Sequence, residues 1–300
     1  MKKQRGDFIM KKDKKDIKKV VLAYSGGLDT SIIIPWLKEN YNNCEVVAVS
    51  SDVGQGTELD GLEEKAIKTG ASKLYVLDLK KDFVENYIFP TLKFGAKYED
   101  YLLGTSFARP CIAKALADIA IKEGADAICH GCTGKGNDQV RFDLTFQVLA
   151  PEIEIITPTR DMTLTREYEI NYLREHGFEA DFKKMEYSIN KGLWGTSIGG
   201  KETLRSEQTL PEQAYPSQVT AHAEERLKIT FHEGEIAAVN GKPYADKVEA
   251  IRAVEAIGSK FGIGRDMHIG DTIIGIKGRV GFEAAAPMLI IAAHKMLEKH

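Results

Sequence analysis

A Ser-Gly-Gly turn between an apolar run and a helix-forming run constrains this chain most strongly. Residues 20–23 are Val-Val-Leu-Ala, which predicts a buried strand, and residues 30–39 carry a helical pattern. The glycines therefore lie at a strand-to-helix turn, where free backbone N–H groups and the positive end of the helix dipole face an anion. The sequence predicts a phosphate-binding loop at this turn.

The loop follows neither of the two commonest nucleotide-binding patterns. It contains no lysine, so the Walker A pattern fails, and the spaced glycines of a dinucleotide fingerprint are missing. Ser25, Thr30 and Ser31 supply hydroxyl donors for phosphate oxygens, and we expect Asp29 to cap the helix. A tight turn that uses glycine for steric reasons alone is the alternative. The complete Ser-Gly-Gly-x-Asp-Thr-Ser run after a buried strand favours phosphate binding.

Strand and helix patterns alternate over the first half of the chain. The predicted strands are residues 20–24, 45–50, 73–78, 127–130 and 154–157, and the predicted helices are residues 30–39, 59–69, 81–87 and 106–123. We expect Pro35 to kink the first helix. The alternation predicts an α/β fold, a parallel sheet with helices on both faces.

Three polar, glycine-bearing segments follow strands of this predicted sheet. They are the Ser-Gly-Gly loop, residues 51–55 and residues 131–138. Ligands of such sheets bind beyond the carboxyl ends of the strands. We therefore expect the three segments to open on one edge and to form a site there.

The second half of the chain has a different pattern, which predicts an α+β domain. We expect a helix over residues 165–175 ended by Gly177, a long loop over 183–218, and a hairpin of 227–231 with 236–239. A helix over 246–259 capped by Asp246, a short strand over 273–276 and a helix over 283–299 follow. The predicted organisation is a lysine-rich leader over 1–18, expected to be disordered, a domain over 19–164 that contains the phosphate-binding loop, and a second domain over 165–300. A basic arm that binds nucleic acid is the alternative for the leader.

Composition restricts the class of protein. The 300 residues are 43% hydrophobic and 28% charged with a net charge of −3, so no general nucleic-acid-binding surface is indicated. Four cysteines form no secreted disulfide framework, and no apolar stretch reaches the ~20 residues of a membrane span. These features predict a cytoplasmic enzyme that binds neither nucleic acid nor membrane.

Residues 130–142 form a second stretch with the chemistry of a binding site. Three glycines alternate with Thr, Lys, Asn, Asp and Arg, which gives a mobile backbone with both charges. Arg141 suits a carboxylate and Asp138 an ammonium group, so the stretch fits a zwitterionic substrate. A solvated glycine-rich loop with incidental charges is the alternative. The adjacent Cys129 and Cys132 have CxxC spacing, for which a structural role is favoured over zinc or redox chemistry.

The two stretches together resemble the argininosuccinate synthase family. The resemblance extends through residues 101–110, 187–189 and 261–265 and covers nearly everything from Val20 to His300. It implies an ATP-dependent condensation of citrulline with aspartate through a citrullyl-AMP intermediate, which releases AMP and pyrophosphate. It also implies Mg²⁺ bound to ATP, with unknown protein ligands, and a homotetramer that the short C-terminus could weaken.

The resemblance also assigns site residues by position. ATP would contact Ala23, Tyr24, Ser25, Gly26, Gly27, Leu28, Asp29, Thr30 and Ser31, with Ser51 and Gly131 near the adenosine. Citrulline would contact Tyr101, Ser106, Asn137, Arg141, Ser188 and Ser197, and aspartate would contact Thr133, Asn137 and Asp138. Asn137, Asp138 and Arg141 would thus carry the catalytic positioning. Without the resemblance, Tyr101 could equally be a core aromatic residue and Ser106 the N-cap of a helix.

The sequence departs from the family pattern on the citrulline side. Gly270 and Phe282 stand where the family has a Glu and a Tyr near citrulline, and residues 190–204 lack the usual acidic pattern. We therefore expect citrulline to be held differently. Two alternatives remain: another ATP-pyrophosphatase such as a tRNA thiolation enzyme, which the Cys129/Cys132 pair slightly favours, and a nucleotide-binding protein without catalysis.

Overall fold

The structure is a computed structural model that describes residues 13–161, 166–178 and 187–300. The chain divides into two compact units. The first comprises Met1–Ser51, Leu59–Leu77 and Ile112–Phe182, and the second comprises Asp52–Glu58, Asp78–Cys111 and Lys183–His300. Most of the predicted leader, residues 1–12, lies outside the described residues.

The strands and helices of the described residues are numbered in chain order. The strands are β1 (Lys19–Ala23), β2 (Glu45–Asp52), β3 (Lys73–Asp78), β4 (Ala127–Cys129), β5 (Glu154–Ile156), β6 (Ser188–Asn190), β7 (Thr196–Gly199), β8 (Ile229–His232), β9 (Glu235–Val239), β10 (Lys242–Pro243), β11 (Arg265–Asp271) and β12 (Lys277–Glu283). The helices are α1 (Leu28–Asn40), α2 (Leu62–Lys68), α3 (Lys80–Phe83), α4 (Phe89–Lys93), α5 (Gly104–Glu123), α6 (Asp138–Leu149), α7 (Pro158–Asp161), α8 (Arg166–Glu175), α9 (Lys247–Gly258) and α10 (Ala285–Leu297).

The first unit contains a five-stranded sheet in the order β3-β2-β1-β4-β5. The central strand β1 pairs in parallel with β2 and β4, and β4 pairs in parallel with β5. This arrangement confirms the predicted parallel α/β sheet, and all five predicted strands are present with bounds that differ by at most two residues.

Apolar layers cover both faces of this sheet. Val20 and Leu22 of β1 pack with α1, α2 and α8, whereas Val21 of the same strand packs with α5 and α6. Successive strand residues point to opposite faces, so a strand buried on both sides needs an unbroken apolar run. This is why the Val-Val-Leu run was a sound predictor of a central strand.

Two predictions for the first unit are wrong. Residues 131–142 were expected to be a loop, but α6 begins at Asp138, and its buried residues Gln139, Phe142 and Phe146 recur with helical spacing. The helix was missed because the first turn of α6 is polar. Asp29 was expected to cap α1, but the N-cap is Gly27, which has no side chain to cap with, and Asp29 lies within the first turn.

The second unit contains a sheet in the order β11-β12-β7-β6 and another in the order β10-β9-β8. The first is antiparallel at all three of its strand pairings, and β8 with β9 forms the predicted hairpin. Asp246 caps α9 as predicted, because its Oδ1 accepts a hydrogen bond of 2.8 Å from the Val248 N–H. This unit is the expected α+β domain.

Three predictions for the second unit are wrong. The segment 183–218 was expected to be a loop; residues 183–186 lie outside the described residues, but β6 and β7 form within the remainder. Residues 273–276 were expected to be a strand, but they form the turn between β11 and β12, with Gly275 at a φ of 78°. Ile273 is 61% exposed, so apolar side chains there do not mark burial. The last helix begins at Ala285, not at residue 283, because Glu283 still belongs to β12.

Two arginines hold the polar segment that precedes β8. Arg279 donates a hydrogen bond of 2.8 Å to the Gln208 carbonyl oxygen and a second one to the Arg205 carbonyl oxygen. Arg265 pairs with Glu212 at 2.5 Å and lies over the Tyr215 ring. The segment is therefore ordered by side chains that donate to its backbone and not only by its own secondary structure.

Within the described residues, no helix combines the length and the apolar character that crossing a membrane requires.

Glu123, the last residue of α5, joins the amino-terminal ends of two sheet strands, β1 and β3. Its carboxylate accepts hydrogen bonds from Lys73 Nζ at 2.7 Å and from Tyr75 at 2.6 Å, and it pairs with Lys19 at 3.4 Å. These contacts, with those of Lys73 and Tyr75 the strongest, lower the pKa of Glu123 from its ordinary 4.5 to about 2. The charged form is therefore stabilised in the folded chain.

We expect Glu123→Gln to lower the free energy of unfolding at pH 7 by about 1 kcal/mol. A carboxylate whose pKa is depressed on folding stabilises the fold above its unfolded pKa and loses that contribution as the pH falls through the folded value. The difference in the free energy of unfolding between the native chain and the variant should therefore be constant above about pH 4.5 and shrink towards pH 2. Urea unfolding at a series of pH values measures it. Asp118→Asn, which breaks an exposed pair with Lys114 on the same helix, should leave stability unchanged; a pH-independent difference would contradict the assignment.

Candidate active site

The loops after β1 and β4 occupy the switch point of the parallel sheet. β1 is flanked by β2 on one side and β4 on the other, and ligands of such sheets bind at the carboxyl edge where the connections diverge. The two loops are in contact: a Cβ placed on Gly131 would lie 3.6 Å from Thr30 Cγ2 and 3.1 Å from Ile33 Cδ1. The structure thus brings together two of the three segments that were expected to share one edge.

Gly26 gives the first loop its shape. Its φ is 74°, in the left-handed region, and a Cβ placed on it would lie 2.2 Å from Leu62 Cδ2 of α2. Any larger residue would be strained and would also displace Leu62 from the core. The glycine is therefore required by backbone conformation and by close packing together.

The hydroxyl groups of the loop mostly stabilise the turn itself. Ser31 Oγ donates to the Gly27 carbonyl oxygen at 2.8 Å, and Thr30 Oγ1 donates to the same oxygen at 3.3 Å. Ser31 is 1% exposed, so its hydroxyl group supports the loop from below. Ser25 is exposed, and its Oγ lies 3.1 Å from Thr30 Oγ1 and accepts the Gly27 N–H at 3.3 Å. Of the three hydroxyl residues predicted to face phosphate, Ser25 is the one on the solvent side.

Tyr24 and Ser51 lie at the carboxyl ends of the central strands. The Tyr24 N–H donates to the Val49 carbonyl oxygen at 2.9 Å, which extends the β1–β2 pairing by one residue. The ring is buried, and burial raises the pKa of the Tyr24 hydroxyl. Ser51 is buried within β2, which continues to Asp52. Both residues thus lie within the framework of the site.

Lys65 of α2 contacts the first loop and was missed by the sequence analysis. Its ammonium group donates a hydrogen bond to the Gly26 carbonyl oxygen. The loop itself has no lysine, and a contact between residues 39 positions apart leaves no local signal in the sequence. The segment was recognised only as part of a helix.

A buried polar network fixes the second loop. The Cys132 N–H donates to His130 Nδ1 at 3.2 Å, so the other ring nitrogen carries the proton and donates to Asp143 Oδ1 at 2.8 Å. His130 is 1% exposed and lies against the rings of Phe142 and Phe146. The loop is therefore anchored at its first residue by α6.

Arg160 and Gln139 extend this network. Arg160 donates to Asp143 Oδ2 at 2.7 Å and to Gln139 Oε1 at 3.2 Å. The amide group of Gln139 in turn donates to the carbonyl oxygens of Gly134 at 2.7 Å and Gly136 at 3.3 Å. Burial alone would raise the pKa of Asp143, but hydrogen bonds from His130 and Arg160 outweigh it and lower that pKa. The glycine-rich loop is thus held in one conformation.

The predicted substrate residues of the second loop lie where this loop meets α6. Asn137 is the N-cap of α6, Asp138 is the first helical residue, and Thr133 is exposed in the loop. Arg141 NH1 donates to Asp138 Oδ1 at 2.7 Å, so the two charged residues pair with each other.

Three of the predicted citrulline residues, Tyr101, Ser188 and Ser197, lie at one face of the second unit's main sheet. Ser197 lies opposite Asn190 on β6 and opposite Phe282 on β12, and directly opposed residues share a face. The Tyr101 ring lies 5.2 Å from the Phe282 ring and stacks on His268 at 4.7 Å. Tyr101 is therefore packed against this face.

Gly270 makes room for His268, which the sequence analysis missed. A Cβ placed on Gly270 would lie 2.7 Å from His268 Nε2. Ser188 is exposed on β6, two residues from Asn190, and so shares the face of Ser197. Ser106 lies in the first turn of α5, which begins at Gly104, so it is not the N-cap.

Cys129 and Cys132 are free thiols, the first buried and the second partly buried. Among the described residues there is no cluster of three or more His, Cys, Asp or Glu side chains that could hold a metal ion.

Comparison with known proteins assigns both halves of the chain to one family. Residues 19–179 match the family described as Arginosuccinate synthase N-terminal HUP domain, and residues 187–300 match the family described as Arginosuccinate synthase C-terminal domain. The structure of the U34-tRNA thiolase NcsA from Methanococcus maripaludis matches 57% of this chain and 60% of that chain at 16% identity. Its TM-score of 0.37 is too low to support an inference about fold or function.

Relatives of known name span most of the chain. It is 48% identical over 293 residues to the argininosuccinate synthase of Clostridium perfringens, which covers 95% of this chain and 72% of that protein. It is 46% identical over 298 residues to that of Colwellia psychrerythraea, covering 95% of this chain and 71% of the relative. With both family domains matched and this identity, the chain belongs to the argininosuccinate synthase family.

Proposed function

We propose that this chain ligates citrulline and aspartate to argininosuccinate, with cleavage of ATP to AMP and pyrophosphate. The observation that carries the proposal is the contact between an anion-binding loop and a loop bearing both charges at the switch point of a parallel sheet. Family membership supplies the reaction. The chain is then an AMP-forming carbon–nitrogen ligase of arginine biosynthesis.

The proposed chemistry has two steps. The ureido oxygen of citrulline attacks the α-phosphorus of ATP, and the bond to the bridging oxygen of pyrophosphate breaks. The aspartate ammonium group loses a proton, and the resulting amine attacks the ureido carbon. AMP leaves from that carbon, and the attacking nitrogen loses a further proton. Adenylation is needed because the ureido oxygen is a poor leaving group until it carries the phosphoryl group. Catalysis is then mostly positioning and charge stabilisation.

The first loop binds the phosphates of ATP in this proposal. The N–H groups of the first turn of α1 face the pyrophosphate, with Ser25 as a side-chain donor. Ser51 and Gly131 lie near the adenosine. The rigid Gly27 carbonyl, held by two hydroxyl groups, keeps these donors fixed while charge develops on the departing pyrophosphate.

The second loop positions the amino acids. Asp138 accepts a hydrogen bond from the ammonium group of aspartate, and Arg141 donates hydrogen bonds to the carboxylate of citrulline. Asn137 contacts both substrates. The 2.7 Å pair between Asp138 and Arg141 must open for this, so each partner exchanges one ionic contact for another. Thr133 completes the contacts to aspartate.

The face of the second unit's sheet binds citrulline. Tyr101, Ser188 and Ser197 contribute there, together with Ser106 from α5. The Tyr101–His268 stack takes the place of the Glu and Tyr that the family pattern has on this side. This explains how a chain with Gly270 and Phe282 still forms a specific surface.

Mg²⁺, assembly and compartment complete the proposal. Mg²⁺ enters with ATP, whose phosphates supply most of its ligands, as is usual for nucleotide-bound magnesium. It neutralises phosphate charge, and every other part of the mechanism is assigned to residues of this chain.

We further propose that the protein forms a homotetramer and is located in the cytoplasm.

The first prediction concerns the substrate requirement. Protein, ATP and Mg²⁺ are mixed with citrulline, aspartate, both or neither, and pyrophosphate release is measured. We expect sustained release only with both amino acids. Release that needs a sulfur donor and tRNA would instead favour a thiolation enzyme, and nucleotide binding without turnover would favour a non-catalytic protein.

The second prediction concerns Asp138. We expect Asp138→Ala to raise the KM for aspartate at least tenfold, because a charge-assisted contact is lost, and to change the KM for ATP by less than about threefold. Steady-state kinetics with each substrate varied in turn measures both. Gln147→Ala, an exposed position on the same helix, is the control. Equal effects on aspartate and ATP would refute the assignment.

The third prediction concerns Gly270. We expect Gly270→Ala to push His268 off the Tyr101 ring and to raise the KM for citrulline several-fold, with the KM for ATP unchanged. Gly278→Ala is a matched control, because Gly278 is the cross-strand partner of Gly270 and a Cβ there would meet nothing within 4 Å. Identical kinetics of the two variants would show that His268 does not contact the citrulline side.

A further inference from the structure

Lys65 stands out because it brings a cation to a phosphate loop that has none. Residues 23–31 contain one charged side chain, Asp29, so the loop is negative by itself. Pyrophosphate carries several negative charges, and other phosphate loops meet them with a lysine within the loop. Here the lysine comes from α2, and its ammonium group donates to the Gly26 carbonyl oxygen.

The helix that carries Lys65 is fixed by its buried face and contacts the loop at two points besides the lysine. Leu62, three residues before Lys65, packs where a Cβ of Gly26 would lie, and Ala66 is fully buried. The Thr69 hydroxyl interacts with that of Tyr24. Residues three and four apart lie on one helix face, so the lysine approaches the loop on a rigid support.

The contact determines which way one peptide group of the loop points. The Gly26 carbonyl and the Gly27 N–H belong to the same trans peptide, so they point in opposite directions. Because Lys65 holds the carbonyl oxygen on the side of α2, the Gly27 N–H is turned away from α2, where Ser25 Oγ accepts it at 3.3 Å. Glycine on both sides of this peptide would otherwise let it rotate easily.

Partial burial of the Lys65 ammonium group is energetically unfavourable, and the packing of α2 does not require it. Its side chain is half-buried, and burial lowers the pKa of the Lys65 ammonium group. Leu62 and Ala66 already bury the inner face of α2. Lys68, one turn further on, is exposed and pairs with Glu64. Only the first of these two lysines is directed at the loop.

We propose that Lys65 is a positioning residue of the pyrophosphate loop, whose ammonium group fixes the Gly26–Gly27 peptide and supplies the positive charge that the loop lacks. This inference rests on the proposed function, since it takes pyrophosphate as the group that the loop holds. It adds a residue on another helix to the phosphate site. Lys65 is expected to act on pyrophosphate and on ATP, and not on AMP.

Equilibrium binding of inorganic pyrophosphate and of AMP to the full chain tests the proposal by calorimetry. Lys65→Met keeps the length of the side chain but removes its charge and donors. We expect it to weaken pyrophosphate binding at least tenfold and to change AMP binding by less than about twofold. Lys65→Arg, which keeps the charge and donors, should retain more pyrophosphate affinity than Lys65→Met. Lys68→Met should behave as the native chain.

Three results would overturn the inference. They are pyrophosphate affinity of Lys65→Met equal to that of Lys68→Met, an equal loss of pyrophosphate and AMP binding, and no pyrophosphate binding by the native chain. A thermal melt shows whether the variants are folded. The binding measurement does not use turnover, so a native chain that binds pyrophosphate through Lys65 but fails to join citrulline and aspartate would refute the proposed function alone.

Discussion

The candidate site depends first on the left-handed backbone of Gly26. That conformation turns the chain from the central strand into α1 within a few residues, and it presses the loop against Leu62 of α2. Once the turn is made, the Gly27 carbonyl is held by two hydroxyl groups of α1 and the Gly26 carbonyl by Lys65. One left-handed glycine, supported by its surroundings, thus gives the candidate phosphate loop its shape.

The second loop achieves rigidity by other means. It has several glycines and no regular structure, yet Gln139 donates to two of its carbonyl oxygens and His130 accepts one of its N–H groups. Arg160 and Asp143 fix both of these side chains. A flexible sequence becomes a defined surface because the polar groups that stabilise it, of which His130 and Gln139 are buried, are hydrogen-bonded to one another.

How much of this structure could be predicted depends on how far apart in the sequence the interacting residues lie. The central strands were predicted because two-sided burial demands unbroken apolar runs, as in Val20–Ala23. The strands β6 and β7 were missed because they are short and polar, and the Ile273–Ile276 turn was misassigned because its apolar residues are exposed. Within the site, Gly26 and Asp138 were identified from local pattern. Lys65 and His268 were not, because only the fold brings them to their partners.

The ion pair between Asp138 and Arg141 has a consequence for how a zwitterion is recognised. In the absence of substrate the two charges compensate each other, although both side chains are partly exposed. In the proposed function an incoming amino acid replaces an existing ionic contact, so the net change in Coulomb energy is small. Affinity at such a site comes from geometry more than from attraction between opposite charges, and it depends only weakly on ionic strength. Because the proposed function assigns Asp138 to aspartate and Arg141 to citrulline, each substrate replaces one partner of the pair, and opening the pair for one substrate frees the other charge for the second.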